Sequence, residues 1–181
     1  MALLSTELRN LIATPELPDL GPGPRAGILA IREIDAPAEE MSLPVPRIQL
    51  IRATLYLWHD HLQESHSIAQ GIDNANGNYL HGIMHRREPD YGNASYWFHR
   101  VGKHPSFPEL ARRAKKLCSA APDSAAKLPK PLFDLEEWNP FAFIEACERV
   151  SLTQSAPELN LLREIQAAEI ETLLEYFSER P

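Results

Sequence analysis

Seven of the sixteen prolines in this chain fall between Pro15 and Pro46, and the other nine are spaced along the remainder. Proline lacks a backbone donor and drives the residue before it away from the helical region, so it decides where regular structure can run. Residues 14–46 therefore read as an irregular arm. Its one apolar run, Gly27-Ile28-Leu29-Ala30-Ile31, is either a short strand or a segment packed on the domain. Ahead of the arm, residues 5–13 read as a short amphipathic helix capped by Ser5 or Thr6.

Beyond Pro46 the same punctuation marks out helices. Ile51, Leu55, Trp58, Leu62, His66 and Ala69 recur at spacings of three and four, which predicts one helix over 47–70. A turn-rich connector, Gly71 to Asn78, precedes a second helix over 79–87 that Pro89 ends. Asn93 and Gly102 bracket a third over 94–101. Ser106-Phe-Pro-Glu109 has the form of a capping box for a helix to about Ala120. Asn139-Pro140 and Ser155-Ala-Pro-Glu158 open the last two, to about Val150 and residue 178. The expected fold class is all-α, an irregular bundle of about six helices with a proline-rich N-terminal arm. It forms a single domain of 181 residues, with the N-terminal helix and arm in 1–46 and the helical core in 47–181.

Net charge is −7, which argues against a nucleic-acid partner, and no recognition motif for one is present. No apolar run approaches the roughly 20 residues of a membrane span. Cys118 and Cys147 have no CxxC spacing, and the opening MALLSTELRNLIA lacks the basic start of a signal peptide. A cytoplasmic location with reduced thiols is expected. Charge is uneven: residues 81–116 carry eight Lys/Arg against three acids, while residues from Asp134 onward carry eleven acids against three arginines. The two segments are either solvated faces or, for the first, a basic lining for an anionic ligand.

All seven histidines lie between His59 and His104. If the short connector makes the helices at 47–70 and 79–87 an antiparallel pair, His66 stands level with Ile83, between His81 and His85. His59 then stands level with Glu88 and Asp90. His81 and His85 are an i, i+4 pair on one helical face. Neutral imidazoles so placed suit a divalent metal (Zn, Fe or Ni), with His66, His81 and His85 as ligands and Glu88 or His59 as fourth ligand or general base. The alternative is metal-free acid–base chemistry by one histidine. His61 and His104 read as structural and His99 as exposed. Asp60 and Glu64 are either solvated acids or acceptors that orient the imidazoles. An HD-type phosphohydrolase would need a histidine upstream of His59, and there is none.

The segment from His85 to Gly102 is dense in recognition groups. Arg86, Arg87 and Arg100 can grip a phosphate or carboxylate, Tyr91 and Trp97 offer flat walls, and Asn93 opens a helix. A self-contained loop of salt bridges and core aromatics is the competing reading. Trp58-His59-Asp60, His66-Ser-Ile-Ala-Gln70, His81-Gly-Ile-Met-His-Arg-Arg-Glu-Pro-Asp-Tyr-Gly-Asn-Ala94, Tyr96-Trp97-Phe98 and Arg100-Val-Gly102 together resemble the pattern of an uncharacterised family found in bacteria and fungi. The likeness covers about residues 57–105. It implies a shared site in this segment and carries no activity with it.

The expected function is that of a small enzyme with a histidine-rich, metal-dependent pocket. It would act on a small phosphorylated or carboxylated molecule, with Glu88 and His59 as catalytic groups and Arg86, Arg87, Tyr91, Asn93, Trp97 and Arg100 binding substrate. The alternative is a non-catalytic binding protein that uses the basic aromatic segment 85–103.

Overall fold

A computed structural model of the chain describes residues 4–23, 25–121, 132 and 137–179. The described residues form nine α-helices and no strand. The fold is all-α as expected, but with more and shorter helices. They are α1 (Thr6–Leu11), α2 (Ile31–Glu39), α3 (Val45–Trp58), α4 (Leu62–Gln70), α5 (Ala75–Arg87), α6 (Tyr91–Val101), α7 (Phe107–Ala120), α8 (Pro140–Thr153) and α9 (Ala156–Ser178).

Two differences from the sequence reading matter for the site. The proline-rich stretch is not an arm throughout, because Ile31 opens α2 in place of closing a strand. The Glu33 carboxylate reaches back to accept from the Ala30 N–H at 2.8 Å, and Ile34 and Ala38 are buried. The residues before α2 are fastened to the body by side chains that donate to backbone carbonyls. Arg163 donates to Leu17, Gln166 to Asp19, and Arg87 to Gly21.

The second difference is that the helix expected over 47–70 breaks at His59. Asp60 takes a left-handed backbone (φ 62°), which an aspartate tolerates better than most side chains. His61 then restarts the chain with its N–H on the Tyr56 carbonyl. The break is held from both directions. Arg25 donates to Asp60 through its backbone N–H and Nε, at 3.2 and 3.0 Å, and Arg87 donates through Nη2 at 2.6 Å.

α3 lies at the centre, every residue from Ala53 to Trp58 buried, against α2, α4, α5 and α9. α5 is buried along its length from Gly77 to Arg87. Asn74 caps it by accepting from the N–H groups of Asn76 and Gly77. A Cβ on Gly77 would stand 2.0 Å from the Ile72 carbonyl oxygen. Gly77→Ala is therefore expected to cost at least about 2 kcal/mol, measured by urea unfolding, because the obstruction is backbone and cannot swing aside.

The remaining starts show how local signals translate. Asp90, not Asn93, caps α6, accepting from the Asn93 N–H at 3.2 Å. Ser106 does not cap α7, since its hydroxyl is engaged with His104 Nδ1 at 2.7 Å, and Glu109 turns to Arg112 and Arg113. Asn139 caps α8 as expected.

Candidate functional site

The α4–α5 hairpin brings three imidazoles together. His66, from α4, has its ring centre 5.0 Å from that of His81 and 5.6 Å from that of His85, one turn further along α5. The centres of His81 and His85 are 6.2 Å apart with planes 12° from parallel. The point equidistant from these three centres lies ~3.3 Å from each, about the sum of a metal–nitrogen bond of ~2.1 Å and half a ring. In their present orientation the donor atoms do not converge on it. Among the described residues no group of three or more His, Cys, Asp or Glu is arranged to hold a metal ion.

His81 is the centre of the cluster. It is 2% exposed, and its ring nitrogens make no well-formed hydrogen bond, only a weak backbone interaction with Gly77 one turn earlier. A buried polar atom without a partner costs ~1–3 kcal/mol. Burial pushes its pKa down to about 4, helped by the neighbouring His66 and His85, so the ring is neutral at physiological pH. Burial also lowers the pKa of His85, against the opposing charges of Glu88 and Asp90. Burial thus favours the neutral form of both His81 and His85.

The surroundings are polar on one side and aromatic on the other. Gln70 Nε2 lies 3.0 Å from His66 Nε2, and Asn93 Nδ2 lies 3.2 Å from His85 Nε2. Glu88 Oε2 stands 3.6 Å from His85 Nδ1, an ionic approach too long for a hydrogen bond. Trp97, from α6, stacks on His81 with centroids 4.1 Å apart and planes 8° from parallel. The Arg100 guanidinium lies 5.6 Å from the Trp97 ring centre, half exposed and 3.5 Å from Asp73. Tyr91 opens α6 and is half-buried against the core. Gln70 was given no role in the sequence reading, although its i, i+4 spacing from His66 repeats that of His81 and His85.

Other candidate residues lie elsewhere. Arg86 is buried against Glu169 and Gln166, with its guanidinium 4.5 Å from the Phe143 ring centre. Arg87 is buried against Asp60 and donates to the Leu57 and Gly21 carbonyls. Neither guanidinium is open to a ligand. His59 is fully buried at the helix break. Its Nδ1 accepts from the Leu29 N–H at 3.1 Å, and its Nε2 donates to the Leu11 carbonyl at 2.7 Å. The break removes it from the level of Glu88 that an unbroken hairpin would give. Asp60, expected to be solvated or to orient an imidazole, instead binds two arginines. His61 bonds the Leu29 carbonyl, and His104 bridges Ser106 and Asn76.

These placements also revise the charge argument. Six of the eight basic residues in 81–116 are matched by acids, Arg86 by Glu169, Arg87 by Asp60, Arg112 by Glu109 and Arg113 by Glu109 and Glu175, with looser exposed pairs of Arg100 with Asp73 and Lys103 with Glu137. Arg100, paired only with the exposed Asp73, lies over Trp97 beside the histidines. No protein-family model, curated protein or solved structure matches the chain.

Proposed function

We propose that this chain is a small, divalent-metal-dependent enzyme of hydrolytic type that acts on a small phosphorylated or carboxylated molecule in the cytoplasm. The observation that carries the reading is His81, a buried neutral imidazole without a well-formed hydrogen bond, flanked by two further imidazoles with ring centres 5.0 and 6.2 Å away. A pKa of about 4 makes His81 a poor general base at neutral pH, where a useful base titrates near 7. The same neutrality suits metal ligation, which requires an unprotonated ring.

When bound, the ion supplies a Lewis acid and a water acidified toward neutrality. Glu88, beside His85 and 41% exposed, would be the carboxylate placed to take up a proton. Arg100, with its guanidinium 5.6 Å from the Trp97 ring centre, would receive the anionic group of the substrate. Arg86, Arg87 and His59 take structural roles in this reading, and Asn93 and Gln70 hold the outer edges of the imidazoles. Two free cysteines fit a reducing compartment.

The test is elemental analysis of protein carrying no polyhistidine tag and purified without a nickel column, alongside His81→Ala and His85→Ala. Close to one metal per chain in the wild type, lost in both variants, is the expected result. Sub-stoichiometric metal unchanged by both substitutions would sink the metal reading. It would favour a non-catalytic binding protein that uses the rim of α6, where Tyr96 and Arg100 are exposed.

A further inference from the structure

We infer that the cavity between α1, α7, α9 and the end of α3 is a second binding site. It takes a small zwitterion of the α-amino-acid type with an apolar side chain, its ammonium on Glu171 and its carboxylate on Arg9. The site shares no residue with the histidine cluster and does not rest on the metal reading. The cavity holds about 440 Å³, inside the roughly 300–1,000 Å³ of small-molecule sites. Leu4, Ile12 and Leu17 supply its apolar wall, and Leu17 is 36% exposed, a large side chain that the fold leaves partly uncovered. The buried Trp58 indole lines it as well, fixed by a hydrogen bond from Nε1 to Thr14 Oγ1 at 3.1 Å.

The polar groups of this cavity divide into those already committed and those still open. Thr14 Oγ1 accepts from Trp58 and, at 3.2 Å, from Arg25, and donates to the Glu16 carbonyl at 2.8 Å. Arg113 is claimed by Glu175 at 2.6 Å and by Glu109 at 2.7 Å. Glu171 is a third acid on that one guanidinium, and it stands 3.8 Å away, too far for a hydrogen bond. No described residue donates a hydrogen bond to the Glu171 carboxylate. Burial pushes its pKa up, against the pull of Arg113, with Glu175 adding to the rise and Arg9 opposing it. Arg9 is exposed, donates from Nε to the Leu4 carbonyl at 3.0 Å, and forms no ion pair among the described residues. The cavity thus presents one carboxylate and one guanidinium that feel each other without pairing. A molecule with an ammonium and a carboxylate on one carbon answers both charges at once, and charge-assisted hydrogen bonds at its two ends fix its orientation. A purely cationic or purely anionic ligand leaves one of the two unanswered.

The experiment titrates the full chain with three probes that share one branched apolar end: leucine, isopentylamine (leucine without its carboxylate) and isocaproate (leucine without its ammonium). Amide proton–nitrogen NMR is the readout, followed at Ile12, at Leu17 and at the indole N–H of Trp58. Leucine is expected to move all three signals at millimolar concentration, and each single-charge probe to bind on the order of tenfold more weakly. Glu171→Gln is expected to weaken leucine and isopentylamine alike, by on the order of tenfold. Arg9→Gln is expected to weaken leucine similarly and to leave isopentylamine unchanged. Both side chains are partly or fully exposed, so neither substitution threatens the fold, and matching urea midpoints check this. No movement of these signals with any probe would overturn the inference, as would shifts centred on His66, His81 and His85 instead. Isocaproate bound as tightly as leucine, or leucine binding untouched by Glu171→Gln, would overturn it too.

Discussion

Asp60→Asn is expected to lower the unfolding free energy by roughly 3–5 kcal/mol, the cost of removing one partner from a buried ion pair. The Asp60 side chain is fully buried between Arg25 at 3.0 Å and Arg87 at 2.6 Å, and Arg87 is itself fully buried. A guanidinium cannot escape by losing its proton, so without the carboxylate it remains a charge facing two carbonyls, those of Leu57 and Gly21. Burial already pushes the Arg87 pKa down, and the Asp60 carboxylate is the main group opposing that. Asparagine tolerates the left-handed backbone at this position, so the loss reports the charge. Asp60→Ala is expected to add about 1 kcal/mol of backbone strain on top. Urea unfolding at pH 7 and fixed salt is the measurement. Asp60→Asn combined with Arg87→Met should recover part of the loss, because removing both charges is milder than stranding one. A loss under about 1 kcal/mol from Asp60→Asn would mean that water compensates Arg87.

The same residue shows where sequence reading reached its limit. The apolar stripe from Ile51 to Ala69 was legible, because α3 and α4 bury that face on either side of the break. The break was not, because what stabilises it is an arginine 35 residues earlier and another 27 residues later. Periodicity registers neighbours along a helix and is blind to such partners. Pairing His66 with His81 and His85 needed only the short connector and a count outward from it, and the rings do meet. The same count failed for His59, which lies beyond the break. Arg86 and Arg87 failed for a related reason. Two adjacent arginines look like a surface lining until Glu169 and Asp60 arrive from elsewhere in the chain. The Ser106 capping box was undone by His104 two residues before it, a competitor that a four-residue pattern does not weigh. The stack of Trp97 on His81 was within reach in principle, since Gly82 and Phe98 flank those residues in matching order. Nothing in either helix alone says that they pair there.

The buried histidines should also make the fold acid-sensitive well above the range of carboxylates. His81 and His104 both have pKa values pushed down to about 4 by burial, against an ordinary value of 6.5. Above pH 6.5 these rings are neutral in both folded and unfolded chains, and stability is indifferent to them. Between 6.5 and 4 the unfolded chain binds protons that the folded chain refuses, so stability falls as pH falls. Below 4 the loss levels off, at up to about 3 kcal/mol for each ring. His59 and His85 shift in the same direction and steepen the same limb. Glu109 acts lower: its arginine partners hold it near 2, so its contribution is lost only as pH drops below 4.5 toward that value. Urea midpoints taken at half-unit steps should therefore hold steady from pH 8 to 7 and drop steeply between 6.5 and 4, before carboxylate protonation dominates. His104→Gln can still donate to Asn76 and accept from Ser106 but cannot gain a proton, and it should flatten the upper part of that slope. A midpoint that stays level down to pH 5 would show that water or rearrangement admits protons to these rings in the folded chain. If zinc binds as proposed, the slope should steepen when the ion is present, because a bound ion stabilises the folded state only while its ligands are unprotonated.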